Sequence, residues 1–374
     1  MKITHIGTLL LQPFPWVLVR VKTDSGIVGI GEAYHGAGVH QIAIDPRLTR
    51  ALIGQNPLDV DKLFRDMMGS MSASGYYQGA VMSAISGIEM ALWDIAGQAL
   101  GCPIWQLLGG RFRDRVRVYN DCNAGEEENS QSYAQKAKEV EARGFSAIKF
   151  DIDPLPDRRD TYNRCISNDH IHHFVEVVTA IREALDPNTD LAIDAHWAYA
   201  PVDIIKVAQA FEPLDLLWLE DPVPAENVEA MKKVKEASRT PICTGENFYT
   251  RFGFRELIHT QAADIVSPDM AKAGGLAEGK RIAEMADLYY MPLAPHNICG
   301  PIGTVAMTHV CAAVPNFLAL EFHHLDNAVW ENLVVEGPLI EDGHIATRET
   351  PGLGVTLNED VARENAVDIL GFFD

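Results

Sequence analysis

Residues 216–222 read LLWLEDP: four apolar residues, two acids and a proline. An apolar run this short, without polar alternation, suits a strand buried on both faces. Asp194, within LAIDAHW (191–197), precedes Glu220 by the same interval at which Glu246, within PICTGEN (241–247), follows it. Asp269, His296 and Glu321 continue the series at nearly the same spacing, in ADIVSPDM (263–270), MPLAPHN (291–297) and FLALEF (317–322). Upstream stand VRVYND (116–121) and AIKFDID (147–153). Each run is apolar and ends in polar residues.

Stretches between these runs, such as 132–144, 173–185, 202–214, 228–238 and 277–289, repeat their apolar residues at three- and four-residue steps, as one buried helical stripe does. A helix after each doubly buried strand implies parallel pairing, and eight such units are the count of a (β/α)8 barrel. The barrel is expected over residues 116–329, with each polar tip at the C-terminal end of its strand. The interval from Lys149 to Asp194 is longer because of a polar, proline-containing insertion at 154–170. This reads as a loop over the barrel mouth.

Residues 1–115 follow another pattern. Residues 16–33, WVLVRVKTDSGIVGIGEA, are two strand-like runs around a DSG turn, a hairpin signal. Helical patterns follow at 57–70 and 81–101, the second stopped by Gly101. We expect an α+β domain over residues 1–115, with the tail 330–374 folding back on it. The fold class is α/β: a modified (β/α)8 barrel with a second, α+β domain.

The formal charge is −21 without a single-sign tail. That field argues against nucleic acid or an anionic membrane as a partner and would repel an anionic substrate unless local cations offset it. No run of about 18 uncharged apolar residues predicts a membrane span. The start, MKITHIGTLLLQPF, is cut by Pro13 and Pro15 and reads as strand rather than signal peptide. Six cysteines form no CxxC pair and no zinc spacing, which fits reduced thiols and a cytoplasmic protein.

Asp194, Glu220 and Glu246 end three successive strands. For any one of them, a nearby lysine or arginine explains the charge. Three converging carboxylates repel one another, and a divalent cation resolves that repulsion. All-oxygen ligands completed by water and substrate suit Mg²⁺. Asp269 and His296 end neighbouring strands, where an aspartate fixes a histidine's tautomer and raises its basicity, as a general base requires. In AIKFDID, Lys149 and Asp151 share a face, two opposite charges at the tip of a core strand.

With these residues assembled, the chain resembles the enolase superfamily, in its mandelate racemase subgroup. The likeness runs through GIVGIGEA (26–33), SAISGIEMALWDIAGQALGCPIWQLLGG (83–110), LAIDAHW, LEDP, TGEN, SPDMAKAGG (267–275), LAPHNICGP (293–301) and PGLGV (351–355). The resemblance makes the α+β domain a cap on the barrel. It implies Mg²⁺ on Asp194, Glu220 and Glu246, and a substrate carboxylate whose α-proton is removed to give an enediolate. By position His296 is the base, oriented by Asp269, and Glu321 meets the substrate carboxylate as a hydrogen-bond donor while protonated.

Departures from the family pattern narrow the reaction. Racemases of the subgroup carry Lys-x-Lys on the second strand; here Asp151 takes the second place, as a carboxylate base, a hydroxyl ligand or neither. Muconate-type members have a lysine where this chain has Asp269. Asp-x-His on the third strand resembles galactonate and mannonate dehydratases, in which such a histidine protonates the departing 3-hydroxyl, so His196 is the expected acid. Lys149 is then the electrostatic partner of the substrate carboxylate or enediolate. Trp16, Tyr34 and His35 from the cap, with Arg158, Arg159, Trp197 and His323, are candidates for the mouth, although a packing or rim role is the simpler reading of each.

The expectation is a Mg²⁺-dependent hydro-lyase taking a small sugar acid to its 2-keto-3-deoxy product, in a homo-oligomer as in relatives. The competing readings are a racemase, epimerase or cycloisomerase, and a catalytically silent metal-binding protein.

Overall fold

The computed structural model describes residues 1–374 apart from 76, 125–128 and 153–163. Ile3–Leu11 (β1), Val17–Thr23 (β2) and Val28–Ala33 (β3) pair antiparallel in order. The turn between β2 and β3 places Gly26 at φ +84, a conformation glycine enters without steric cost. Helix Gly79–Leu100 lies directly on this sheet. A Cβ on Gly31 would stand 2.1 Å from the carbonyl oxygen of Gly87, and one on Gly29 would stand 2.1 Å from that of Ala91. The glycines of GIVGIGEA are therefore places where backbone packs on backbone. The helix is long and apolar enough to cross a membrane, but 83% of its apolar window is buried inside the protein.

Arg115–Cys122 (β4), Ala147–Asp151 (β5), Asp190–Asp194 (β6), Trp218–Glu220 (β7), Ile242–Thr244 (β8) and Ile265–Val266 (β9) form a parallel series. Leu320–Phe322 (β10) closes it by pairing parallel with β4, Glu321 opposite Tyr119. Seven of the eight expected strands form as strands. The seventh run, MPLAPHN, holds its place through single bridges from Leu293 to Val266 and Phe317. Pro292 and Pro295 have no N–H to donate, so the ladder cannot extend.

Alternation along the strands builds the barrel interior in layers. Tyr119, Ala147, Ala192, Trp218, Cys243, Ile265, Ala294 and Ala319 form an apolar floor. Tyr119 and Trp218 meet edge to face at 5.2 Å, and the alanines leave them room. Two residues further along β4, β5, β6, β7 and β10 come Asp121, Lys149, Asp194, Glu220 and Glu321. The charged layer thus rests on the apolar one.

The cap is fastened at the starts of two barrel helices. Helices Leu276–Asp287 and Pro301–Ala312 begin after Gly275 and Gly300, which have no side chain to cap the free N–H groups. Glutamates from the first domain do so. Glu89 accepts from the backbone N–H of Leu276 and Ala277 at 2.8 and 3.0 Å. Glu32 accepts from Gly300 and Gly303 at 2.6 and 2.8 Å. Burial pushes Glu32 up to about 8 and Glu89 to about 7, against the pull of these amide donors.

The tail divides instead of folding wholly onto the first domain. His344–Ala346 pairs antiparallel with Arg115–Arg117 of β4, and Ile345 is buried there. Ala366–Leu370 joins the cap beside β1, and Gly352 and Leu353 bond to Cys102 and Asp94 of the first domain. All six cysteines are free thiols.

Candidate active site

Lys149 stands at the centre of the charged layer, 1% exposed. Its Nζ is 2.7 Å from Glu321 Oε1, 2.8 Å from Asp194 Oδ2, 3.1 Å from Glu220 Oε2 and 3.2 Å from Asp121 Oδ2. Pairing by lysine is thus real, but one ammonium cannot neutralise four carboxylates. Burial, partly offset by Lys149 and reinforced by Asp194 and Glu321, holds the Glu220 carboxyl well above its usual range. Glu220 Oε2 also accepts from the Trp218 indole at 2.7 Å. Its Oε1 and Asp221 Oδ2 are buried without a hydrogen-bond donor among the described residues. Orphaned oxygens of this kind are costly unless a cation meets them.

Ligand atoms of Glu220, Asp221 and Glu246 lie within 4.8 Å of one another, and a second group of the same span holds Asp151, Asp194 and His196. The three expected ligands thus fall into two adjoining groups, with Lys149 touching both through Asp194 and Glu220. The donors are hard oxygens, as a divalent cation requires. They fit one.

Glu246 faces the base. Its Oε2 is 2.8 Å from His296 Nε2, and Lys272 Nζ is 3.8 Å from its Oε1. Burial would raise Glu246, but His296 and Lys272 hold it near 2. His296 Nδ1 donates to Asp269 Oδ2 at 2.7 Å, and Asp269 Oδ1 accepts from the N–H of Ala271 at 2.8 Å. Burial opposes the imidazolium, yet Glu246, Glu321 and Asp269 outweigh it and keep the His296 pKa well above 6.5. The expected Asp–His pair is present, with its second nitrogen also engaged.

Glu321 differs from expectation. Burial disfavours its charge, but Lys149, His296 and His323 prevail and hold the carboxyl well below the usual range. The N–H of Asn297 donates to its Oε2 at 2.8 Å. These partners favour Glu321 as an acceptor over a protonated donor.

His196 reaches the mouth through a turn. The N–H of His196 donates to Asp194 Oδ1 at 2.8 Å and that of Trp197 to the Asp221 carbonyl at 2.7 Å. Both residues adopt left-handed φ, 41° and 54°, a strain that non-glycine residues carry where structure over-determines them. The ring then lies 3.9 Å from both Asp151 and Asp194.

The aromatic candidates separate. Trp16 is 1% exposed and its indole donates to the Ile298 carbonyl at 3.2 Å. It braces the loop after His296, the packing role that was the simpler reading of it. Tyr34 is half-buried, its ring 6.4 Å from that of His296 and under the Lys272 ammonium at 4.6 Å. His35 packs against Tyr34. Trp197 lines a cleft of about 1550 Å³ with His196, Asn247, Tyr249 and Arg65, between the cap and the barrel rim. Arg158 and Arg159 lie outside the described residues.

Three site residues escaped the sequence reading. Asp121 ends the first strand as Asp194 ends the third, a repeat signal that was available. Asp221 stands beside Glu220, and Lys272 lies shortly after Asp269, where its Nζ donates to Asn247 Oδ1 at 2.7 Å. Neither carries a pattern that marks it in isolation.

Comparison with known proteins follows the same geometry. Residues 4–109 match the mandelate racemase/muconate lactonizing enzyme N-terminal domain, and residues 132–361 match the enolase C-terminal domain-like family. A D-xylonate dehydratase of Haloferax volcanii is 46% identical over 376 aligned residues, covering 100% of this chain and 91% of that protein. A D-galactonate dehydratase of Pectobacterium atrosepticum is 33% identical, covering 98% and 94%. The crystal structure of a mandelate racemase/muconate lactonizing enzyme-like protein from Rubrobacter xylanophilus superposes with a TM-score of 0.94, at 44% identity, over 100% of this chain and 99% of that one.

Proposed function

The chain belongs to the enolase superfamily, in its mandelate racemase/muconate lactonizing enzyme branch, and on that premise we propose that it is a Mg²⁺-dependent sugar-acid dehydratase. The observation that carries this reading is the pair of imidazoles at one mouth. His296 is backed by Asp269, and His196 is on the other side of the acidic cluster, beside Asp151. No second lysine follows Lys149 on its strand. The relatives named as dehydratases support the same reaction class, and D-xylonate is the first substrate to try.

Asp194, Glu220 and Glu246 would hold the ion, with Asp221 close behind. Bound there, Mg²⁺ supplies Lewis-acid stabilisation of charge on the substrate carboxylate. The chain's own groups do the rest. His296 Nε2 takes the proton from C2, leaving its electron pair in the enediolate. For this the contact between His296 and Glu246 must open and Nε2 must give up its proton, because an imidazolium has no lone pair to offer and only the neutral ring can act as the base. Asp269 keeps Nδ1 protonated and the ring aimed. Lys149 places a fixed, water-excluded positive charge beside the developing negative charge. The enediolate then expels the C3 oxygen, which takes its proton from His196 and leaves as water. The resulting enol tautomerises to the 2-keto-3-deoxy acid. Asp151 stands where a second lysine would serve the opposite face, so the site is built for elimination from one side.

The test is incubation of the protein with a panel of aldonates and Mg²⁺, reading 2-keto-3-deoxy product. Turnover is expected, and His296→Asn should reduce it at least ~10³-fold, the scale of a lost general base. The variant should keep the wild-type circular dichroism spectrum. Exchange of the C2 proton in D₂O with inverted configuration and no dehydration would make the protein an epimerase. Neither turnover nor exchange on any acid would favour the silent metal-binding reading.

A further inference from the structure

The proposed reaction uses the strands that carry the metal ligands and those that carry the base. It leaves without a role the groups between β10 and β4, beside Lys149 of β5. In that sector β10 and β4 run in parallel register, Phe322 opposite Asn120. One residue further, the same register brings His323 beside Asp121.

The contacts there are one-sided. His323 Nε2 is 3.4 Å from Asp121 Oδ2 and 3.3 Å from Glu321 Oε1. Asp121 is almost fully buried and is itself held by Lys149. These are ion-pair distances without a completed hydrogen bond, but a nitrogen facing two carboxylate oxygens is favoured as the one that carries the proton, since two acceptors repel a lone pair. The ring's other nitrogen, Nδ1, is then the acceptor. The His323 side chain is 30% exposed although its Nε2 is buried, so the part of the ring that is open lies away from Nε2. The neighbouring His324 behaves differently: it is buried and its Nε2 donates to the Ile298 carbonyl at 3.0 Å. Of the two adjacent histidines, one packs and one faces the mouth.

We propose that His323 is a specificity-determining residue whose Nδ1 accepts a hydrogen bond from a hydroxyl beyond C3 of the sugar acid, and that Asp121 is the positioning residue that fixes its tautomer. This rests on the sugar-acid reading. The ligand chemistry is a polyol hydroxyl, a neutral donor, which suits a rim already crowded with carboxylates. Selection by a buried hydrogen bond is sharp because an analogue lacking the group leaves a polar atom unpaired.

The experiment compares the aldonate that wild type turns over with its 4-deoxy and 5-deoxy analogues, in wild type, His323→Phe, His323→Gln and Asp121→Asn. Wild type should lose at least ~10-fold in kcat/KM when one of the two hydroxyls is removed. In His323→Phe the same removal should cost less than about twofold, because the partner is gone. Glutamine, whose amide oxygen can stand in for Nδ1, should restore part of the discrimination. Asp121→Asn should raise KM more than it lowers kcat, since it removes one of the two carboxylates that face Nε2 and so loosens the hold on the ring's orientation and tautomer. This isosteric change also keeps the test alive if His323→Phe fails to fold. Equal losses on hydroxyl removal in wild type and His323→Phe, for both analogues, would overturn the inference while leaving the reaction intact. A wild type that dehydrates no sugar acid would overturn both.

Discussion

Lys149→Met tests whether the acidic layer is built for a cation. Methionine keeps the length and apolar stem of lysine and removes the ammonium. In the wild type that ammonium touches four carboxylates at 2.7 to 3.2 Å, at a side chain 1% exposed. Removing one partner of a buried ion pair costs roughly 3–5 kcal/mol, because the other charge remains. With an unfolding entropy of about 2.1 cal/mol/K per residue, a 374-residue chain shifts its Tm by about 1 °C for each 0.8 kcal/mol. The metal-free variant should therefore melt about 4–6 °C below wild type. A divalent cation should then stabilise the variant more than the wild type, because the ligands have lost a competing cation. At 100 times its Kd, an ion adds about 2.7 kcal/mol, which offsets most of the loss. The assay is thermal unfolding followed by circular dichroism in EDTA and across a Mg²⁺ titration. Two results would refute the reasoning: a metal-free variant within about 1 °C of wild type, or equal Mg²⁺-induced shifts in both proteins. Either would mean that the carboxylates are satisfied without a dication.

Two further outcomes are expected. His196→Gln should lose dehydration by about 10²–10⁴-fold, the scale of general-acid catalysis, while exchange of the C2 proton in D₂O persists, as proton NMR would show; loss of both together would move His196 from the leaving group to the base. Glu32→Gln and Glu89→Gln should flatten the stability–pH curve. Their folded pKa values, about 8 and about 7, lie above the ordinary value of 4.5. For a carboxyl raised in the folded state, the native protein binds more protons, so the stability it contributes is full below about 4.5 and is lost as pH rises through the folded value. Each group should make wild type lose about 1.4 kcal/mol per pH unit in that window relative to its glutamine variant. Urea unfolding at pH 5.5 and 7 checks this, and parallel curves for wild type and both variants would rule it out.

The barrel was legible because its signal is periodic. Apolar runs with polar tips recur at nearly constant spacing, and the two-residue alternation within each run tells which side chains share the mouth. The three carboxylates expected to hold a metal and the Asp269–His296 pair are read from that register alone. What escaped depends on partners far apart in the chain. Asp121 matters because Lys149, on the next strand, and His323, just past the last one, both meet it. The pull that lowers the Glu321 pKa comes first from Lys149, close to it only because the barrel closes. Trp16 looked like a mouth residue because it is a large aromatic in a short connection, but only packing against Ile298 and His324 shows that it is buried. The capping glutamates had a signal in retrospect: Gly275 and Gly300 begin helices with nothing of their own to meet the free N–H groups.

The opposite charges of AIKFDID acquire distinct reasons. Lys149 is the hub that lets four strand tips hold carboxylates in one layer. A second lysine at 151 would add another ammonium between Asp194 and His196, where the two side chains now lie 3.9 Å apart. It would compete for Asp194 and repel a protonated His196. Aspartate brings no such ammonium: its Oδ1 lies 3.9 Å from His196 Nδ1. Burial first, and then Asp121 and Asp194, push Asp151 itself up to about 9. A carboxyl that resists ionisation this strongly is a weak candidate for a deprotonated base at neutral pH. The residue that stands where a second-face base would be is thus neither an ammonium competing for Asp194 nor a ready carboxylate base, and both points argue for elimination over racemisation.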